Sequence, residues 1–152
     1  METRIENGQK VEGILEKSID AEKGFETAAE NSKSISLKNY FLEKSRQRGS
    51  FIAELKIELY KRDFTEAHSS GSLTGDVHRV WMDIKSALTG DNDEAMLEES
   101  IRGEKIAFKE FEQVLETEYL SLEMRNLLSK QYSIIKNDLE TIKTIEDIQK
   151  YF

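Results

Sequence analysis

Residues 93–118, DEAMLEESIRGEKIAFKEFEQVLETE, decide the fold. Leu97, Ile101, Glu104, Phe108, Phe111 and Leu115 recur every three or four positions, which places them on one stripe of a helix. The stripe predicts a helix from about Asp93 to Glu118, and an acid, Glu104, sits near its middle. Three other stretches repeat this design. Val11, Ile14, Leu15, Ser18, Glu22, Phe25 and Ala29 predict a helix over residues 8–30. Leu37, Phe41, Lys44, Arg48, Phe51, Leu55 and Leu59 predict one over residues 37–62. Leu120, Met124, Leu127, Gln131, Ile134, Asp138, Ile142 and Ile145 predict a last helix ending near Ile148. Each stripe carries a charged or amide residue at its middle: Glu22, Arg48, Glu104 and Gln131.

Punctuation between these stretches is polar. The run 31–36, NSKSIS, reads as a short turn with Ser34 or Ser36 as N-cap, and Ser121 caps the last helix. Residues 66–75, EAHSSGSLTG, read as a loop. A shorter helix over about 76–88 follows, capped by Thr74, with Val77, Val80, Trp81, Ile84 and Leu88 as its stripe. Gly90 ends that helix, and Asp91 or Asn92 starts the next. The order is therefore two long helices, a connection of ~25 residues, and two more long helices. That connection is far longer than the ~2–8 residues joining neighbouring helices in bundles. A short helix within it is expected to carry the chain back along the bundle. The expectation is an all-α, ferritin-like, up-down-down-up four-helix bundle with a short helix in the long crossover, forming a single domain over residues 8–149.

Composition agrees. The chain has 152 residues and no proline, which suits long uninterrupted helices. Without cysteine it has no disulfide, thiolate ligand or thiol nucleophile. The net charge is −8 and neither end has a basic block, which argues against nucleic acid as a partner. No apolar run approaches membrane-spanning length, and the first residues lack a signal-peptide core, so a secretory signal is not expected.

The polar middle admits two readings. Ferritin-like dimetal sites take one Glu from each of two helices and a Glu-x-x-His from each of the other two. Glu22 and Glu104 fit the single-Glu roles. Where the paired motifs would stand, the chain has Arg48-Gly-Ser-Phe51 and Gln131-Tyr-Ser-Ile134, and both histidines, His68 and His78, fall in or beside the crossover. One reading is a buried polar network in which Arg48 neutralises Glu22 and Glu104 while Gln131 satisfies leftover hydrogen bonds. The other is an all-oxygen metal site using Glu22, Glu104 and Asp138, with iron or manganese as the ion. The degenerate ligand set favours the network, so no metal or other cofactor is expected.

Other candidates are weaker. Trp81 reads as the anchor of the crossover helix. Gly71 to Gly75 lacks the lysine and the preceding strand of a phosphate loop. The run 91–94, DNDE, lacks the rest of a calcium loop and reads as capping. No Ser/His/Asp set supports nucleophilic catalysis.

Residues 71–90, GSLTGDVHRVWMDIKSALTG, resemble a bacterial family of four-helix-bundle proteins of unknown function in the ferritin-like superfamily. Residues 20–30, DAEKGFETAAE, extend the resemblance, as do Gln47-Arg48 with Phe51 and Glu54-Leu55, Gly103-Glu104-Lys105, and Lys130-Gln131. Together they cover the chain from about Val11 to Ile148. The resemblance implies a ferritin-like fold and a bacterial cytoplasmic protein, and by analogy an association with stress. It transfers no activity. The expected function is that of a non-catalytic, stress-associated interaction protein with a degenerate metal site, acting as a homo-oligomer or with an unidentified protein partner. The alternative is metal binding, storage or oxidation by the central carboxylates. The question of enzymatic activity stays open, with the sequence weighing against it.

Overall fold

The computed structural model describes residues 4–61, 92–118 and 120–152, with side chains from residue 8 onward. The described residues are all-helical, with five helices and no strand: α1 Arg4–Asn31, α2 Ile35–Lys61, α3 Asp93–Leu115, α4 Leu122–Thr141 and α5 Ile145–Tyr151. None of these helices is long and apolar enough to cross a membrane. The expected crossover helix, the loop before it, Trp81, His68 and His78 lie outside the described residues.

Short polar side chains define the helix ends. Ser34 Oγ accepts a hydrogen bond from the Leu37 amide at 3.3 Å. Asn92 Oδ1 accepts from Ala95 at 3.1 Å and Ser121 Oγ from Met124 at 3.1 Å. Each takes up one of the amides that the first helical turn leaves without a partner. The expected last helix is two helices. Thr144 Oγ1 accepts from the Asp147 amide while Asp147 Oδ2 accepts from the Thr144 amide, a reciprocal capping box that restarts the chain as α5. The Arg125 guanidinium donates to the carbonyls of Leu115 and Thr117, at 2.6 and 2.7 Å, closing the turn between α3 and α4. A cation at this helix end also complements its dipole.

Side-chain contacts fix the helix directions. The three-residue turn 32–34 makes α1 and α2 antiparallel neighbours. Asp93, the first residue of α3, accepts hydrogen bonds from the amides of Lys33 and Ser34, at 3.0 and 2.9 Å, at that turn. Farther along, Glu104 meets Arg48, and Glu110 meets Lys17 at 2.6 Å. α3 therefore runs antiparallel to α1 and parallel to α2. α4 returns against α2, since Lys130 reaches Glu54 and Asp138 reaches Lys44. α5 packs on the start of α2. There Ile148 is buried, Ser36 Oγ donates to the Phe152 carbonyl, and the Tyr40 and Phe152 rings meet edge-on.

The interior holds two apolar clusters. One joins Val11, Ile14, Leu15 and Ile19 to Phe51, Leu55, Leu59, Phe111, Met124, Leu128 and Ile135. The other joins Phe25, Ala28 and Ala29 to Leu37, Phe41, Met96, Leu97, Ile142 and Ile148. Each fully buried Leu, Ile or Phe contributes about 1.5–3 kcal/mol relative to exposure. All seven stripe positions expected on α2 are buried. The stripes of α3 and α4 are turned slightly from expectation. Met96, Ser100 and Val114 are buried where Ile101, Phe108 and Leu115 are half-buried, and Leu128 and Ile135 replace Leu127 and Ile134. Between the two clusters lies a polar layer.

Candidate functional site

The layer begins with Lys44 and Arg48, four residues apart on α2 and so on one face. Both lie on the inner stripe, and their exposures are only 2 % and 1 %. A cation in such a place must be compensated, because desolvation costs several kcal/mol per ion. The compensation comes from other helices. On α3, Glu104, itself 3 % exposed, accepts from Arg48 Nη2 through Oε1 and has Lys44 Nζ 2.7 Å from Oε2. On α4, Asp138 accepts from Lys44 Nζ at 2.7 Å and from Gln47 Nε2 at 2.8 Å. Gln47 Oε1 in turn accepts from Arg48 Nη1 at 3.0 Å and from Lys44 Nζ at 3.2 Å. Two cations and two carboxylates make the layer neutral overall.

Aromatic faces complete the setting. The Arg48 guanidinium carbon lies 5.7 Å from the Phe25 ring centre and 5.3 Å from that of Phe51, and Lys44 Nζ lies 5.7 Å from Phe25. These distances place both cations within reach of the negative ring faces. Burial pushes the Glu104 carboxyl up, but the charges of Arg48 and Lys44, together with their hydrogen bonds, outweigh it and hold Glu104 below its ordinary value. The Tyr40 hydroxyl is pushed up, first by burial and then by the negative charges of Glu104 and Asp138.

The expected site residues divide. Arg48 and Glu104 meet as a direct pair, and Asp138 joins them through Lys44 and Gln47. Glu22 stands apart. It is half-buried and shares no ion pair with Arg48 or Lys44. Its carboxylate lies over Gly49 of α2, where an added Cβ would come within 2.7 Å of Oε2. The Glu22 carbonyl accepts from Ser45 Oγ at 3.2 Å. Gln131 is fully buried two turns along α4 from Asp138. It donates to the Phe51 carbonyl and to Glu54 Oε1, at 3.4 and 3.3 Å, while its own Oε1 has no hydrogen-bond partner. Sequence reasoning placed Lys44 on the inner stripe but gave it no role. Gln47, at the stripe edge, carried no signal beyond its neighbour Arg48.

The donor set does not suit the dimetal centre of ferritin-like proteins. The oxygens of Glu104 are engaged by Arg48 and Lys44, Asp138 is held by Lys44 and Gln47, and two resident cations repel a third. Arginine and glutamine stand where carboxylates of the paired motifs would be. Among the described residues no three His, Asp or Glu side chains are grouped to share an ion. The arrangement binds helices to one another.

Fold and centre together define an all-helical protein with an internally neutralised ionic layer. The chain belongs to the family described as "Domain of unknown function (DUF2383)", whose model matches residues 7–117. That span includes Lys44, Gln47, Arg48 and Glu104, and it ends before α4 and Asp138. No curated protein matches the chain.

Proposed function

We propose that this protein is a ferritin-like four-helix bundle, one domain over residues 8–149, that works without a metal centre of its own and acts by association, with a second copy or another protein. The observation carrying this reading is the seating of Arg48 and Lys44 on Glu104, which gives the central acids a built-in counter-charge. The antiparallel α1–α2 and α3–α4 pairs, with α3 parallel to α2, support the up-down-down-up arrangement. Support for association comes from Ile35, Ile57, Tyr60, Leu122 and Tyr151, large apolar side chains left mostly exposed. A link to stress rests on the family resemblance alone.

The test is elemental analysis of protein produced with added iron and manganese, combined with light scattering over a range of concentrations. Metal well below one equivalent, unchanged by Glu104→Ala, and a mass above that of one chain are expected. Stoichiometric metal lost on Glu104→Ala would reject the metal-free reading. A mass of one chain at all concentrations would remove self-association and leave a different protein as the partner. Glu22 favours the second reading, a carboxylate metal site, in one respect: its carboxylate is not neutralised by Arg48 or Lys44. In that case the retained metal would depend on Glu22 as well.

A further inference from the structure

The apolar pattern of these helices repeats with a period of seven. On α2, Leu37, Lys44 and Phe51 form one such series, and Phe41, Arg48 and Leu55 form another. On α3 the series is Leu97, Glu104 and Phe111, and every one of these nine side chains is buried. In each series the polar residue has an apolar residue one heptad to either side. Apolar packing alone therefore offers the α3–α4 pair nearly equivalent positions against the α1–α2 pair, one heptad apart. The tight turns fix register within each pair. Between the pairs no tight turn sets the register, since 31 residues separate Lys61 from Asp93.

The ionic layer breaks this degeneracy. A slide of one heptad in one direction brings Leu97 opposite Lys44 and Arg48 and carries Glu104 to the level of Phe51 and Leu55. In the other direction Phe111 faces the two cations, and Glu104 reaches the level of Leu37 and Phe41. Either slip leaves buried charges without counter-charges, which is strongly unfavourable. Other contacts between the pairs, Lys17 with Glu110, Glu54 with Lys130 and Asp93 with the 32–34 turn, are exposed or only partly buried and weaker, and the buried hydrogen bond from Gln131 to the Phe51 carbonyl, at 3.4 Å, is long and joins neutral groups. We infer that the Lys44–Arg48–Glu104–Asp138 layer is a register lock: it selects one alignment of the two helix pairs, as a single polar core position does in coiled coils, while the apolar clusters supply the drive to fold.

The absence of cysteine makes the test clean. Spin labels on Glu43→Cys and Gln113→Cys, both exposed positions, lie on α2 and α3 with a large axial offset. Pulsed electron–electron distance measurement should give one distance in the otherwise native protein. In the background Lys44→Met, Arg48→Met, Glu104→Leu, Asp138→Leu, the helical circular dichroism should persist. The distances should then divide into populations reflecting an axial slip of about 10 Å, seven residues at 1.5 Å each. A single native distance in this apolar variant would overturn the inference, because the turns and surface contacts would then suffice to set register. Loss of helical signal would overturn it too, because the apolar clusters would then not suffice to fold the chain.

Discussion

Replacing Glu104 with glutamine removes one charge and almost no volume from the centre of the protein. Lys44 keeps Asp138 at 2.7 Å, so its charge remains compensated. Arg48 does not: its other hydrogen-bonding partner is the neutral Gln47 oxygen at 3.0 Å, and the guanidinium is 1 % exposed. Leaving a buried charge without its counter-charge costs about 3–5 kcal/mol. For a chain of this size that corresponds to a fall in Tm of roughly 6–20 °C. With a urea m-value of about 2 kcal/mol/M, the midpoint should fall by roughly 1.5–2.5 M. Urea unfolding followed by circular dichroism at pH 7 measures this directly, with an unchanged slope showing that only stability has moved. The paired variant Arg48→Met with Glu104→Leu should recover to within about 1 kcal/mol of the native protein or exceed it, because two well-packed apolar side chains need no counter-charge. The cycle of Arg48→Met, Glu104→Leu and the pair should show a coupling of at least about 2 kcal/mol. A cost below about 1 kcal/mol for Glu104→Gln, the size of an exposed ion pair, would refute the assignment of Glu104 as the counter-charge of a buried guanidinium.

Acid should act on the same group. Glu104 is held below its ordinary value in the folded protein, so its contribution is complete above the unfolded-state value and is lost as pH falls through the folded one; Glu104→Gln should remove that acid-side loss. Asp20 should behave in the opposite sense, since burial raises it to about 6 against the opposing charge of Lys23. Protonation of Asp20 favours the folded state between about pH 6 and its unfolded-state value, so Asp20→Asn should raise Tm at pH 7.5 and flatten the pH dependence near 6. Gly49→Ala gains up to about 1 kcal/mol of helix propensity, and the added methyl meets only the tip of the Glu22 side chain, which can swing away. A neutral or stabilising result by thermal melting is expected, and a large loss would mean that Glu22 is held in place by more than packing. Arg125→Ala leaves the Leu115 and Thr117 carbonyls without their charged donor and should cost about 1.5–3 kcal/mol in urea unfolding.

The α2 helix was the most legible element, because its apolar residues stand at clean intervals and its two charged residues interrupt them without a shift of phase. On α4 the sequence presents adjacent apolar pairs, Leu127-Leu128 and Ile134-Ile135. Periodicity alone does not choose between members of such pairs; packing in the folded core buries Leu128 and Ile135. The restart at α5 had a local signal, Thr144 followed three residues later by Asp147, masked by the continuing stripe of Ile142 and Ile145. At the centre, the pairing of Arg48 with Glu104 followed from the cost of burying either alone. The roles of Lys44 and Gln47 did not, because they depend on how deeply α3 and α4 approach α2. Glu22 lies on a helical stripe and yet rests against Gly49, since the missing side chain there leaves room for its carboxylate at the stripe edge.

Anomalous diffraction at the iron and manganese edges, from crystals of protein produced with both metals, tests the centre most directly. The account predicts no anomalous peak within the layer, with the Arg48 guanidinium and the Lys44 ammonium both seated on Glu104. A peak coordinated by Glu104 and Asp138, with Lys44 and Arg48 turned away, would contradict it.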